Sequence, residues 1–497
     1  MVQVYAFGHI SGAHFNPAVT ATFAFRGKMP IIKALLYVAV QLFGGATGAM
    51  TAYAVAGPGD LAPFAPAPDL PNPVASIFLA EFLYSFALCL VVSCVATAHA
   101  DDPNSHYAIC IGFTLLSTVS AVGPISGGVI NPAVGTSVDL LSTAVGGVPK
   151  YTWVYWVAPL LASVLAAALY SGLERMAAAE QEAAADAEAS GEDRSASLAF
   201  DLPLRVVVFE FVGTFFLALT AGLGSQPLAV GAILTAFIFS SAGFCGGDFN
   251  PAVTFGAMLR FGVTRSELWK TAIVMLAQTT AGILAGFAAF AVSDQVGWPH
   301  PDGAQGSYGA FVYEMMWTAL LVTVVLNTTT PVFTPAAGSP PVEHLYRARS
   351  SVHGLAIGMT LTAGIIGANK HGSGSGGVFN PAVGTGLSLA ALAREHDATG
   401  AVWMYWVAPL IGAAVASGVF RLLHVAGDEA EAGAGLLADG EGMGSAAADS
   451  MSAGLLQHPL DAGFVGAPSI NGESEAGVGQ GAAAAASAAG TETSRGP

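Results

Sequence analysis

The sequence predicts an all-α membrane protein made of two tandem copies of one helical module. Three observations carry that prediction. Apolar residues form 54% of the chain and charged residues only 10%, a balance that leaves too little polar surface for an ordinary soluble domain. The apolar residues collect into runs of about 20, the length that crosses a bilayer as a helix. The triplet Asn-Pro-Ala occurs four times, at Asn16-Pro17-Ala18, Asn131-Pro132-Ala133, Asn250-Pro251-Ala252 and Asn380-Pro381-Ala382.

In chain order, the spans are expected at roughly 31–56, 74–98, 105–123, 151–173, 203–223, 228–244, 268–292, 308–329, 350–368 and 402–424. Glycine is frequent inside them, as expected where helices approach through small faces. Gly44, Gly45 and Gly48 are expected to form one such face, and Gly282 with Gly286 another. Each Asn-Pro-Ala follows a glycine-rich approach and opens a short apolar run. Asn caps a helix N-terminus, Pro is pre-set for the first turn and Ala propagates it. In a soluble loop this would be a cap and nothing more. Inside a membrane, irregular backbone is tolerated only where it is buried in protein or lines a watery path. Two half-helices entering from opposite faces would meet N-terminus to N-terminus, and their dipoles would make a positive centre.

The internal repeat is the next strongest feature. Tyr155-Trp156-Val157-Ala158-Pro159-Leu160 recurs as Tyr405-Trp406-Val407-Ala408-Pro409-Leu410, and Asn131-Pro132-Ala133-Val134-Gly135-Thr136 as Asn380-Pro381-Ala382-Val383-Gly384-Thr385. Residues 1–173 and 203–424 therefore read as two copies, joined by a linker at 174–202 and followed by a tail at 425–497. The second copy runs span, span, pore loop, span, twice over, the pattern of an inverted repeat. The first copy opens just ahead of Asn16, so its first span and most of its second are missing. An incompletely delimited gene is the preferred reading over a defective copy, because the remaining motifs show no decay. No secretory signal peptide is read at its start.

With flanks such as Gly8-His9-Ile10-Ser11-Gly12-Ala13-His14-Phe15-Asn16-Pro17-Ala18-Val19-Thr20, the chain resembles the aquaporins, or major intrinsic proteins, over roughly residues 1–424 without the linker. The resemblance implies an inverted repeat of six transmembrane helices plus two half-helices, truncated in the first copy and complete in the second. It pairs Asn16 with Asn131, and Asn250 with Asn380, as donors to passing water. Glu81, Glu210 and Glu314 lie within apolar spans, where a carboxylate is expensive and normally partnered. The resemblance makes them braces for the pore loops; a proton relay is the alternative. Gln41 and Gln278 match a recurring glutamine that bonds between helices.

Counting by the family's spacing places the constriction of the second module at Val230, Ile365, Gly377 and Val383. The first module offers Val119, Gly128 and Val134, with its second-span position missing. Most members carry Arg directly after the second triplet, where this chain has Val134 and Val383. The expected filter is therefore wide, apolar and uncharged, which puts strict water selectivity in doubt. Tyr155-Trp156 and Tyr405-Trp406 match the aromatic pair of water-type members, and Gly135 and Gly384 stand where glycerol facilitators have Asp. Asp248 replaces the His seen at His14. A local backbone cap is the preferred reading for it, with pH or ion tuning as the other.

The formal net charge of −17 comes mostly from two polar stretches. One holds Glu174, Glu180, Glu182, Asp186, Glu188, Glu192 and Asp193; the other runs from Asp428 to Glu492. Both are rich in Ala, Gly or Ser and bury too little apolar surface to fold alone, although 174–189 is helix-capable. Arg26, Lys28, Lys33, Arg175, Arg205, Arg260, Arg265, Lys270, Arg347, Arg349 and Arg421 fall on one side of the expected topology. Only Lys150, Lys370 and Arg394 fall on the other, so the positive-inside rule puts linker and tail in the cytosol. Cys89, Cys94, Cys110 and Cys245 lack metal-ligand spacing and are expected as free thiols.

The expected activity is passive permeation of water, and of small neutral solutes, without a cofactor or metal and without nucleic acid as a partner. No catalytic set or phosphate loop stands out. A facilitator for glycerol, urea, ammonia or peroxide is the nearest rival. A secondary transporter and a non-conducting structural membrane protein are the others. Two chains carrying four modules are the expected assembly in the lipid bilayer.

Overall fold

The computed structural model describes residues 1–56, 70–96, 105–190, 202–260, 263–301, 306–329, 351–370, 374–395 and 397–438. Every regular element among them is an α-helix. The first module contains α1 (Val2–Ser11), α2 (Pro17–Phe25), α3 (Ile31–Ala56), α4 (Pro73–Ala96), α5 (Tyr107–Ser126), α6 (Pro132–Ala144) and α7 (Val154–Ser190). The second contains α8 (Leu204–Gly222), α9 (Pro227–Ser241), α10 (Pro251–Leu259), α11 (Arg265–Ser293), α12 (Gly306–Thr329), α13 (His353–Lys370), α14 (Pro381–Ala391) and α15 (Met404–Ala438). Eight helices among the described residues are long and apolar enough to span a membrane, and the protein is a multi-pass membrane protein. Of the ten spans read from the sequence, α9 and α13 are the shorter apolar helices. They cross each other at Gly231 and Gly358, where a Cβ on either would collide with the other's carbonyl.

The packing of the second module displays its inverted symmetry. Helix α8 lies on α11 as α12 lies on α15, α14 lies on α11 as α10 lies on α15, and α9 pairs with α13. The first module repeats the second half of that scheme through α4 on α7, α2 on α7 and α3 on α6. Among the described residues it has no counterpart of α8. The consequence is visible on α3, whose apolar window is only 6% buried against 39% for α11.

That difference corrects one expectation. Gly45 does pack tightly, since a Cβ there would sit 2.5 Å from Ser137 Oγ and 3.0 Å from the Ala133 carbonyl. Gly44 and Gly48 meet nothing within 4 Å. Their counterparts on α11, Ala281 and Ala285, are fully buried, whereas no described helix covers that side of α3. Gly282 and Gly286 pack as expected, against the backbone of α14 at Ala382 and Gly386.

The modules also pack on each other. Helix α9 lies against α5 as well as α13. Ser117 Oγ donates to the Ala229 carbonyl at 2.7 Å, the Gln226 amide donates to Ser120 Oγ at 3.2 Å, and the Tyr84 and Thr220 hydroxyls meet at 3.0 Å. Phe216 on α8 stacks on Phe86 of α4.

Two helices run past their expected ends. Helix α7 continues through 174–190, in keeping with the helical preference of Ala and Glu there, and α15 continues past 424 to Ala438. The second continuation departs from the sequence reading, which began the unfolded tail at 425. The Ala- and Glu-containing run behind Arg421 propagates a helix already nucleated by the span. Residues 191–201 of the linker and 439–497 of the tail lie outside the described residues.

A valine at Gly282 should cost about 1–3 kcal/mol of stability through overpacking, because the obstruction is the backbone of α14. The same substitution at Gly48 should be nearly neutral. Thermal unfolding of the two variants in detergent measures the contrast.

Candidate pore loops

The four triplets build the same local structure. Asn16, Asn131, Asn250 and Asn380 are all extended N-caps with Pro at the first helical position. Each side-chain oxygen accepts from the amide of the following Ala, at 2.9 Å for Ala18 and Ala252 and 3.0 Å for Ala133 and Ala382. Asn131 and Asn380 also accept from Val134 and Val383, at 3.5 and 3.4 Å.

The amide nitrogens link the loops in pairs. Asn16 Nδ2 donates to the Ile130 carbonyl at 2.8 Å, and Asn131 Nδ2 returns a bond to the Phe15 carbonyl at 2.9 Å. In the second module Asn250 donates to Phe379 at 2.8 Å and Asn380 to Phe249 at 2.9 Å. The two half-helix N-termini of each module therefore face each other. The accepting residues share a feature that no sequence argument found: Phe15, Ile130, Phe249 and Phe379 all have positive φ, between 39° and 52°. A non-glycine residue there costs about 1–3 kcal/mol and persists only where its surroundings hold it. Here the left-handed turn presents the carbonyl to the opposite loop. The only sequence signal was position, since each residue directly precedes its Asn.

Buried carboxylates hold three of those turns. Glu81 accepts from the Val129 and Ile130 amides at 2.9 and 2.5 Å and from Ser126 Oγ at 2.7 Å. Glu314 accepts from Val378 and Phe379 at 2.9 and 2.6 Å. Glu210 accepts from Gly247, Asp248 and Phe249, at 3.1, 2.9 and 2.7 Å, and from Gln278 Nε2 at 2.9 Å. The Phe15 amide has no carboxylate acceptor among the described residues. Gln41, the counterpart of Gln278, donates to Thr20 Oγ1 at 2.9 Å.

These residues and their duplication place the chain among known proteins. The family description "Major intrinsic protein" matches residues 1–170 and again residues 197–420. The chain belongs to the major intrinsic protein family. Among curated relatives, Aquaporin NIP1-1 of Oryza sativa subsp. japonica is 38% identical over 177 residues, which is 34% of this chain and 58% of that protein. Aquaporin NIP1-1 of Zea mays is 36% identical over 179 residues, again 34% and 58%. The chain thus spans a little over half the length of the curated relatives it matches. A solved aquaglyceroporin from Plasmodium falciparum aligns over 44% of this chain and 95% of its own, at 19% identity and a TM-score of 0.35.

Three of the positions expected to form a constriction are matched between the modules: Gly377 with Gly128, Ile365 with Val119, and Val383 with Val134. Gly377 sits against Ile365, whose Cα would be 2.9 Å from an added Cβ, and Gly128 sits against Val119 at 3.2 Å. Both glycines have positive φ, 65° and 59°, so a side chain is excluded there by conformation and by space. Val230 and Val383 are buried in the same apolar cluster that Ile365 packs on. Val119 and Val134 are 55% and 40% exposed, because the helix that would enclose them is not among the described elements of the first module.

The aromatic pairs of the last spans grip the second loop of each module. Tyr155 Oη donates to the Ser126 carbonyl at 2.8 Å and Trp156 Nε1 to Thr136 Oγ1 at 2.7 Å. Tyr405 and Trp406 repeat this on Ser375 and Thr385, at 2.9 and 2.8 Å. Gly135 and Gly384 lie under the tyrosine rings, where a Cβ would come within 2.9 and 2.7 Å of the tyrosine Cβ. Packing under the tyrosine rings thus favours glycine there. Asp248 holds the position of His14, whose ring bonds Thr20 at 3.1 Å, and its own amide donates to Glu210. Two cysteines, Cys89 and Cys110, are buried, and Cys94 and Cys245 are partly so; all are free thiols.

Replacing Glu314 with Leu should destabilise the fold by about 1–3 kcal/mol for each backbone amide it orphans. Glu314→Gln, which keeps one acceptor oxygen, should fall between. Thermal unfolding in detergent measures both.

Proposed function

We propose that the protein is a passive membrane channel for water and small neutral solutes, with the complete second module as its conducting unit. The observation that carries this reading is the reciprocal exchange between Asn250 and Asn380. Each amide spends one N–H on the opposite loop and keeps its second for a permeant molecule between two half-helix N-termini. The positive ends of those helices oppose cations and protons. The relatives named as aquaporins support the same activity.

The filter favours a broader solute range than water alone. Val230, Ile365, Gly377 and Val383 supply no charge and no large aromatic ring, so solute size is limited only by apolar walls. In stopped-flow assays on proteoliposomes, the full chain should pass glycerol or urea along with water. Val383→Arg should cut solute flux more than water flux by narrowing the path and adding a fixed charge. A wild type that passes water and excludes both solutes would sink the wide-filter reading.

The first module is the weaker candidate for conduction, with an exposed constriction and one loop unbraced. Asn380→Asp keeps the cap oxygen and removes the donor. It should lower water flux about tenfold, the effect of a lost interaction of about 1.4 kcal/mol. Asn131→Asp should leave most of the flux. The reverse ranking would move conduction to the first module.

In this reading the linker side is cytosolic. Arg26 and Arg205 lie at the end that carries the acidic extension of α7, while Arg394 pairs with Asp294 at the opposite end of α11 from Arg265. Two chains would join as a closed four-module assembly. The face that α4 and α5 present to the second module recurs on α12 and α13, where Met316, Leu320, Met359 and Ile366 are exposed. Native mass spectrometry in detergent should find a two-chain complex, and a stable four-chain complex would refute it.

A further inference from the structure

One set of contacts ties the first module to the pore loop of the second. Phe244 lies at the corner between the end of α9 and the stretch that Glu210 braces. Its carbonyl accepts from Arg205 Nη1 at 2.6 Å, and Arg205 Nε donates to Glu180 at 2.7 Å. Glu180 belongs to α7, in the first module's acidic extension. The phenyl ring of Phe244 stacks on Phe209 at 5.3 Å and meets the edge of Tyr170, also on α7, at 5.7 Å. Tyr170 in turn carries the Arg26 guanidinium 3.8 Å from its ring centroid, and Arg26 caps the C-terminus of the first module's half-helix α2.

We propose that α7 is a strut for the second pore: Tyr170 and, through Arg205, Glu180 position the Phe244 corner of the pore loop, so the mouth of the second module is set by the first. The planar guanidinium suits this task, because one fork satisfies a carboxylate and a carbonyl at fixed angles. The Arg205 side chain is only 13% exposed and Glu180 37%, so solvent weakens the pair without removing it. The residue equivalent to Phe244 in the first module is Ile10, which is 69% exposed. The contact exists because two modules share one chain, with the last helix of one extended alongside the first helix of the next. Tyr170 and Glu180 are positioning residues and take no part in contacting the permeant. The consequence for flux rests on the proposed channel activity; the consequence for loop position does not.

Cys245, next to Phe244 and partly buried, reports loop position directly. In the full chain in detergent, its alkylation by a maleimide is followed by mass spectrometry of the Cys245 peptide. Glu180→Gln and Tyr170→Leu should each speed alkylation about two- to fivefold, the range set by losing a partly exposed ion pair or its equivalent. Glu182→Gln, on the same helix and exposed, should leave the rate unchanged. Salt at about 1 M should speed the wild type but not Glu180→Gln, because it screens the pair. An unchanged rate in Glu180→Gln, or equal acceleration in Glu182→Gln, would overturn the strut. Water flux is measured on the same proteins after reconstitution. A Cys245 response in a chain without flux supports the strut while defeating the channel reading.

Discussion

Everything in this protein depends on one exchange of hydrogen bonds. An asparagine at the start of one half-helix gives its amide to the carbonyl ahead of the other, and receives the same in return. That exchange is possible only because the accepting residue turns into the left-handed region, an unfavourable conformation that the surroundings must hold. Phe249 and Phe379 are held by Glu210 and Glu314 through their own amides. Burial of the carboxylates is offset because Glu314 accepts two backbone donors and Glu210 three, which would otherwise be orphaned in an apolar bundle. Loop, carboxylate and span are one cooperative unit. Small residues complete it, because Gly282 and Gly286 let α11 meet the backbone of α14.

The two modules use the same parts under different support. In the second, both loops have their carboxylate and Val230, Gly377 and Val383 are buried. In the first, Glu81 braces one loop, while Phe15 keeps its strained turn on the strength of the Asn131 bond and of packing. The exposure of Val119 and Val134 and the side of α3 that no described helix covers follow from the same difference in enclosure. Equivalent sequence therefore does not mean equivalent burial.

Joining the modules in one chain adds contacts that a single module lacks. The α4–α5 and α8–α9 faces interlock through hydroxyls and stacked rings. The acidic segment after the first module, which reads in composition as a solvated linker, is helical as far as Ser190 and anchored by Arg205.

The sequence by itself determined the class of protein, the duplication, the positions of the spans and the start of every half-helix. Those follow from local rules: apolar run length, the capping chemistry of Asn-Pro-Ala, and repeated strings such as Tyr-Trp-Val-Ala-Pro-Leu. Glu81, Glu210 and Glu314 were legible as partnered because a lone carboxylate in an apolar span is too costly. The family resemblance pointed them at the pore loops, but which amides they accept from was not legible, since hydrogen bonds between residues tens of positions apart leave no mark on spacing. The left-handed turns before each Asn, the grip of Tyr155 and Tyr405 on the second loops, and the exposure of Gly44 and Gly48 were decided by tertiary structure alone. Each depends on which helix lies opposite, and a one-dimensional pattern of apolar and small residues looks the same whether or not that helix is present.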